Sequence, residues 1–505
     1  MSKKCKIYNI LSFIIILLLI TAETFIGLQI YHLDMLPDKY FVLVIVAFVL
    51  VDLIIALLIF WKADDQQNKK HIVSRVLGYF LSIFVISGLL ILGQAISKVQ
   101  ETVSSVTQEA EVRAVVDVYV LEDDPAETIE DASGYSFTVT ESFDWDNTEA
   151  ALEALKEQHE TEVSTVTYPT VFAMVDALYA GEVDGLFLNS AYVDILEEME
   201  PYADFTERVK TIWSYNVREI VSVEEKKPVQ EEKILSEESN DDSFVVYLSG
   251  SDTRSKVLKT SRSDVNILAV VNTKTHQVLL INTPRDYYIG NPAGNGSLDK
   301  LTHCGIYGIE CSMGALEALY DEKIDYYGQI NFTGFETMID AVGGVDIYSD
   351  VAFTGAGGKY KIQQGLNHLN GNQALRFSRD RYSLKGGDNT RGQNQMKVIT
   401  ALIDKMSASN IVANYAQILE SLQGMFVTNI TSEEISALVK MQLEDMPSWD
   451  VKSYAVTGRG DSARTYSMPG VNAYVMHPNQ ETVDQATELI DKVMSGEVLT
   501  DEDVK

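Results

Sequence analysis

Three long apolar segments open this chain: Ile10–Tyr31, Phe41–Trp61 and Val76–Ile96. Each is near or above the ~20 residues that a helix needs to cross a bilayer. Only Glu23 interrupts the first and only Asp52 the second. Three such runs in the first hundred residues argue against buried soluble helices. The length of the first, and the two that follow it, argue against a cleaved signal peptide. The lysines set the expected orientation. Lys3, Lys4 and Lys6 precede the first span, and Lys62, Lys69, Lys70 and Arg75 lie between the second and third. The loop between the first two spans has only Lys39, beside Asp34 and Asp38. By the positive-inside rule the N-terminus and the second loop are cytoplasmic, and an odd number of spans places everything after about residue 97 outside. The expected localisation is therefore the cell membrane, multi-pass, with the C-terminal domains extracellular.

Charge divides the rest. Residues 101–243 hold 36 Asp and Glu against 8 Lys and Arg, a net of −28, whereas residues 244–505 have a net of only −8 and residues 1–100 one of +3. A surface as acidic as the middle part repels nucleic acid and other polyanions. The expected organisation is a membrane anchor (1–97), an acidic accessory domain (98–221), a charged linker (222–242), a second external domain (243–496) and a tail (497–505). The middle part alternates strand and helix. VRAVVDVYVL, VSTVTYP and GLFLNS read as strands, and NTEAALEALKEQHE, TVFAMVDALYAGEVD and AYVDILEEMEPYADF as helices. This predicts a small α/β unit with a mainly parallel sheet. Residues 222–242 contain Pro228 and lack an apolar face, which is linker composition.

The last part also alternates. SFVVYLSG is a strand, and DVNILAVVNTKTHQVLLINTPRD is two strands joined by a polar turn at Asn272–Gln277. A helix is expected near Gly308–Leu319, then strand YYGQINF, helix TGFETMIDAV and strand VDIYSD. Further helices are expected from near Asp388, from Thr431 with Glu434 as a capping box, and over Glu481–Met494. The prediction is α/β overall: a mixed central sheet flanked by helices.

Chemistry concentrates here. Asp252 lies in GSDTR, Arg262 and Asp264 in SRSD, Arg285 in NTPRD, Arg379 and Arg381 in LRFSRDR, and Arg391 and Gln395 in DNTRGQNQ. Two carboxylates suit a hard cation such as Mg²⁺, which leaves its other positions to water and phosphate oxygens. Guanidinium forks bind phosphate bidentately. A metal with several arginines implies a substrate with more than one negative charge, and a pyrophosphate fits. Strand ends and the loops beside them are where open α/β sheets place ligands. An extended LRFSRDR puts Arg379 and Arg381 on one face. A helix from Asp388 puts Arg391 and Gln395 one turn apart. Cys304 and Cys311, seven apart, pair only if Gly305 and Gly308 break the helix; otherwise they are buried thiols. His303 is read either as lining the site or as structural. GRGDS at 458–462 is read as a surface turn.

The order GSDTR, SRSD, INTPRD, KLTHCGIYG, INFTGFETMIDAVGGVDI, GLNHLNGNQALRFSRDR and GDNTRGQNQ resembles the LytR–CpsA–Psr family of bacterial cell-wall proteins, strongly over 243–400. The three-span anchor and acidic domain resemble the streptococcal capsule-operon branch of that family. The resemblance implies transfer of a glycopolymer, here capsular polysaccharide, from undecaprenyl pyrophosphate onto peptidoglycan. It implies that Asp252 and Asp264 hold Mg²⁺ (or Mn²⁺), and that Arg262, Arg285, Arg379, Arg381 and Arg391 bind phosphate oxygens. Gln395 hydrogen-bonds the pyrophosphate or fixes an arginine, Lys300 lies at the site edge and Asp286 orients Arg285. Family members commonly carry a second arginine three residues after the one at 391; here Asn394 stands there. An apolar groove for the prenyl chain is also implied. The expected partners are the lipid-linked polysaccharide, peptidoglycan, the membrane and other capsule-assembly proteins, with no nucleic acid. Two rivals use the same residues: a polyprenyl-phosphate-binding regulator of capsule synthesis or chain length without turnover, and a lipid pyrophosphatase.

Overall fold

A computed structural model describes residues 3–60, 69–107, 112–141, 144–159, 163–219, 242–254, 258–355, 360–381, 383, 388–407, 418 and 420–505. The predicted linker lies outside the described residues apart from Asp242. Helices α1 (Lys3–Leu33), α2 (Asp38–Phe60) and α3 (Lys69–Thr107) contain three stretches long and apolar enough to cross a membrane: Tyr8–Leu33, Asp38–Phe60 and Ile72–Val103. Their apolar side chains face all round rather than along one stripe, as in spanning helices. The turn after α1 and the end of α3 meet the C-terminal unit. Met35 and Val103 pack with Ile435, and Lys440 pairs with Asp34 at 3.1 Å.

The middle unit comprises β1 (Val112–Leu121), β2 (Ser136–Val139), α4 (Trp145–His159), β3 (Ser164–Thr167), α5 (Val171–Tyr179), β4 (Gly185–Asn189), α6 (Val193–Glu197), α7 (Phe205–Arg208) and β5 (Val209–Glu219). Its sheet order is β3-β2-β4-β1-β5. The expectation of a mainly parallel sheet is corrected. β2 runs parallel to β3 and β4, but the long strand β1 pairs antiparallel with both β4 and β5. The predicted helix AYVDILEEMEPYADF is also broken into short pieces. Pro201 starts a 3₁₀ turn at Glu200–Tyr202, and a proline can open a helical turn but not continue one.

The C-terminal unit is built on a six-stranded mixed sheet. Its elements are β6 (Ser243–Ser251), β7 (Ser263–Asn272), β8 (Gln277–Asn282), β9 (Tyr288–Asn291), β10 (Ser297–Lys300), α8 (Leu301–Cys304), α9 (Ile309–Tyr320), β11 (Tyr326–Asn331) and α10 (Phe332–Ala341). Then come β12 (Val345–Ser349), β13 (Phe353–Gly355), β14 (Tyr360–Ile362), β15 (Gly365–Leu369), α11 (Gly371–Arg379) and α12 (Asp388–Met406). The last are β16 (Phe426–Thr428), α13 (Ser432–Asp445), β17 (Asp450–Ala455), β18 (Gly458–Ala463), β19 (Ala473–Pro478) and α14 (Gln480–Met494). Sheet order is β16-β11-β6-β7-β8-β17. Alternation along the strands feeds two cores. Val245, Tyr247, Leu268 and Val270 pack on one face with α9 and α14, while Phe244, Val246, Ile267 and Ala269 meet Met396 of α12 on the other.

LRFSRDR is not extended: Asn370 and Gln373 form a capping box that starts α11, so Arg379 ends a helix and Arg381 lies just beyond it. GRGDS is not a turn but an exposed strand, β18, paired with β19. Cys304 and Cys311 are buried free thiols. The predicted tail is docked: Leu499 exchanges hydrogen bonds with the Gln277 side chain, donating to Oε1 at 2.8 Å and accepting from Nε2 at 3.0 Å.

The two α/β units share an apolar cluster. Ile306, Met468 and Ala473 of the C-terminal unit pack among Leu186, Ile195 and Leu196 of the middle one. Tyr192 donates to Tyr307 Oη across the same boundary at 3.4 Å.

Candidate active site

Antiparallel pairing of β6, β7 and β8 brings the end of β6, the start of β7 and the end of β8 to one sheet edge. Asp252 follows β6, Arg262 and Asp264 flank the first residue of β7, and Arg285 follows β8. A register shift at Gly250/Ser251 bends β6 there, the kind of bulge that re-aims side chains at functional edges. The C-terminus of α11 and the first turns of α12 arrive at the same edge with Arg379, Arg381, Arg391 and Gln395. Gly392 permits that approach: a Cβ there would overlap the Asn282 side chain at the end of β8. All eight residues line one cavity of about 480 Å³.

The charges are paired in a definite pattern. Arg285 Nη1 donates to Asp264 Oδ1 at 2.6 Å, with Asp286 Oδ2 at 3.7 Å from its Nε. Asp286 is thus near Arg285 without hydrogen-bonding that Nε. Asp252 lies between Arg379 Nη2 at 3.5 Å and Arg262 Nη2 at 3.9 Å. Arg379 stacks its guanidinium 4.2 Å above the Phe332 ring, a cation–π contact at an exposed position. Gln395 Oε1 accepts from Asn282 Nδ2 at 3.4 Å. Burial alone would raise the Asp264 carboxyl, but Arg285, Arg391 and Arg262 outweigh it and hold Asp264 below the usual carboxylate range. Asp252 goes the other way: burial and then the Asp264 charge push it up, more than Arg379 and Arg262 offset.

This residue pair fits a divalent cation. Two carboxylates face the same cavity and the second raises the first, a repulsion that a cation between them would relieve. Among the described residues no group of three or more His, Cys, Asp or Glu is arranged to hold a metal alone. Mg²⁺ bound with substrate phosphates needs only one or two carboxylates.

The same cavity also has apolar lining, from Leu248, Ile330, Phe335, Met338, Ile399, Leu402 and Phe426. Phe426 also packs against the cluster of Met35, Val103 and Ile435 at the end of the third spanning helix. A second cavity of about 630 Å³ shares Arg285 and Arg381 with the first and adds Asp286, Lys300, Asn472 and Tyr474, with Glu198 and Met199 from the middle unit. Lys300 is therefore at the site edge, in the neighbouring cavity.

Some residues resolve differently. His303 is structural: fully buried, with Nδ1 2.7 Å from Asp299 Oδ1. Asn394, at the position where an arginine is common, donates to the Phe377 carbonyl at 3.2 Å and joins α12 to α11. Sequence reasoning missed Asp194 and Glu198. Asp194 Oδ2 lies 3.7 Å from Arg262 Nη2, and Glu198 contacts Arg262, Lys300 and Arg285. Nothing marked these two among 36 acidic residues of one segment.

The chain belongs to the LytR_cpsA_psr family, whose model matches residues 212–489. A polyisoprenyl-teichoic acid–peptidoglycan teichoic acid transferase TagU of Bacillus mycoides is 31% identical over 238 residues, 45% of this chain and 77% of the relative. The TagU of Enterococcus faecalis is 33% identical over 202 residues, 40% of this chain and 66% of the relative. Among solved structures, Bacillus subtilis TagT is 26% identical, covering 50% of this chain and 91% of its own, with a TM-score of 0.39.

Proposed function

We propose that the chain is a membrane-anchored, Mg²⁺-dependent glycopolymer–peptidoglycan transferase that moves capsular polysaccharide from undecaprenyl pyrophosphate onto peptidoglycan outside the cell. One observation carries this reading: a single cavity is lined both by a set of apolar side chains and by a cluster of arginines and aspartates. That matches a prenyl chain ending in a pyrophosphate. Phe426, which lines this cavity, also packs against the end of the last spanning helix, which suits a substrate arriving from the lipid. The names of the relatives, peptidoglycan transferases acting on polyisoprenyl-linked polymer, point the same way. For sidedness, the contact of the turn between α1 and α2 with the C-terminal unit through Asp34 supports turn and unit lying on one side. The lysine distribution supports that side being the outer one. For the polymer, the net charge of −28 on 101–243 disfavours a chain as anionic as teichoic acid.

The chemistry follows from charge. A hydroxyl of the acceptor gives up its proton to solvent and forms a new bond to the transferred glycopolymer as the bond joining that polymer to its lipid carrier breaks, and the lipid-borne phosphate or pyrophosphate leaves with the bonding electron pair and its negative charge. Arg262, Arg285, Arg379, Arg381 and Arg391 neutralise that charge from fixed positions, which is positioning plus electrostatic stabilisation. Asp264 keeps Arg285 oriented, Gln395 sits beside them from α12, and the Phe332 ring holds Arg379. Asp252 and Asp264 would hold Mg²⁺, which adds a further counter-charge on the phosphates.

The test is transfer of a polyprenyl-pyrophosphate-linked oligosaccharide onto peptidoglycan by the purified full chain, with capsular and teichoic polymers in separate arms. Attached product that needs Mg²⁺ and is lost in Arg379→Ala is expected, with the capsular arm faster. Tight lipid binding with no attached product under any metal would replace the transferase by the regulator.

A further inference from the structure

The middle unit supplies none of the groups just given a role, yet it places a carboxylate among them. Glu198 follows α6 at the break set by Pro201, and it meets three cations from three separate segments. Its Oε1 takes a charged hydrogen bond from Arg262 Nη1 and lies 3.6 Å from Arg285 Nη2, and its Oε2 accepts from Lys300 Nζ at 3.0 Å. Burial alone would raise the Glu198 carboxyl, but Lys300, Arg262 and Arg285 together hold it below its usual range. Among the described residues that line the two cavities, the C-terminal unit supplies the cations Arg262, Arg285, Lys300, Arg379, Arg381 and Arg391 and the carboxylates Asp252, Asp264 and Asp286. Glu198, with Asp194, offsets most of that excess positive charge. The satisfaction is incomplete, because Arg262, only 7% exposed, keeps a buried Nε without a partner. A phosphate offers more acceptor oxygens than a carboxylate.

Glu198 also sits where the two cavities meet: it lines the second, and Arg285 and Arg381 line both. Its backbone cannot retreat far, since Ile195 and Leu196 are locked in the apolar cluster between the units. Its side chain, 27% exposed, can turn toward the second cavity.

We propose that Glu198 is the resident carboxylate of the phosphate site: it occupies Arg262, Lys300 and Arg285 until a diphosphate displaces it. The accessory unit thereby sets the affinity threshold for anionic substrate and returns a competing anion when the product phosphate departs. The inference rests on the pyrophosphate reading of the site.

Titration calorimetry of farnesyl pyrophosphate into the full chain in detergent micelles tests it, with wild type, Glu198→Gln, Glu198→Ala and Arg262→Ala. Removing a charged competitor that must be displaced should tighten binding about tenfold in both Glu198 variants, while Arg262→Ala weakens it. Melting temperatures identify any variant that fails to fold, and two substitutions of different size guard against that loss. Unchanged or weaker binding in folded Glu198→Gln, with Arg262→Ala still weakened, overturns the resident-carboxylate proposal and leaves the pyrophosphate site standing. No binding of farnesyl pyrophosphate to any variant overturns both.

Discussion

The two α/β units handle charge in opposite ways. The middle unit holds most of the chain's excess acid, yet its core of Val116, Val118, Phe137, Leu155 and Phe187 is apolar. The C-terminal unit is closer to neutral but buries Arg262, Asp264, Asp286, Lys300 and Arg391, each less than a tenth exposed. Burying charge is costly, and replacing a buried ion pair with packed apolar residues is often neutral or stabilising. Net charge therefore draws attention to the wrong unit. The informative quantity is charge held where it is most expensive to hold, and that is the sheet edge beside the cavity.

The largest effect that could break this contrast is at the Asp264–Arg285 pair. Asp264→Asn leaves the Arg285 guanidinium without its 2.6 Å partner. Removing one member of a buried pair costs about 3–5 kcal/mol, so urea unfolding should show a loss of that order. Transfer should fall by about 10²–10³ as well, as when a fixed electrostatic donor is disturbed. A stability close to wild type would mean the pair is not desolvated as described.

Arg379→Ala separates the two consequences. Arg379 is exposed, its pairing with Asp252 is loose at 3.5 Å, and its guanidinium stacks on Phe332. Exposed pairs contribute about 0–1 kcal/mol, so the melting temperature should scarcely move. Transfer should still drop by about 10²–10³. Equal loss of stability and transfer would place Arg379 in the fold rather than in the reaction.

Asp299 gives a pH signature for buried charge away from the cavity. Burial alone would raise its carboxyl, but His303, Ser467 and Asn291 outweigh that and hold it below the usual range. A depressed folded pKa contributes stability that is full above the unfolded value of about 3.9 and lost as pH falls through the lower folded value. Melting curves from pH 7 to pH 3 should show this acid loss in wild type and a shallower slope in Asp299→Asn. The substitution should also cost about 1–3 kcal/mol at neutral pH, because buried donors are left poorly satisfied. An unchanged slope would assign the acid loss to other carboxylates.

Much of this was legible in the chain. The spans follow from apolar length, the strands of the central sheet from short apolar runs between turn residues, and α13 from the Thr431–Glu434 capping box. The convergence of Asp252, Asp264, Arg285 and Arg391 was readable because each lies at a predicted element end. What failed had specific causes. The shared face for Arg379 and Arg381 depended on LRFSRDR being extended, and the Asn370–Gln373 capping box makes its first part the end of α11 instead. Strand β5 was missed although Trp213, Tyr215 and Val217 alternate with polar residues as in a half-buried strand. The antiparallel character of the middle sheet depends on β5 and on long-range pairing that no local pattern records. Glu198 was invisible for a different reason: its partners belong to another unit, and a single glutamate in an acidic segment carries no local signal.

The smallest predicted effect asks whether the contrasting units fold as one. Thr170 caps α5 in the middle unit, its side chain accepting from the Ala173 amide, and Thr431 caps α13 in the C-terminal unit by accepting from that of Glu434. Each Thr→Ala change removes one cap and should cost about 1 kcal/mol. If the units melted separately, each variant would shift only its own transition in a calorimetric scan. The shared cluster of Ile306, Met468 and Ala473 with Leu186 and Leu196 argues for coupling, since separating the units would expose all of it to water. The expected outcome is one main transition, lowered by similar amounts in both variants. If two transitions appear and each variant moves only one, the boundary is weaker than its packing implies, and Glu198 would then be free to leave the phosphate site by motion of the whole unit rather than of its own side chain.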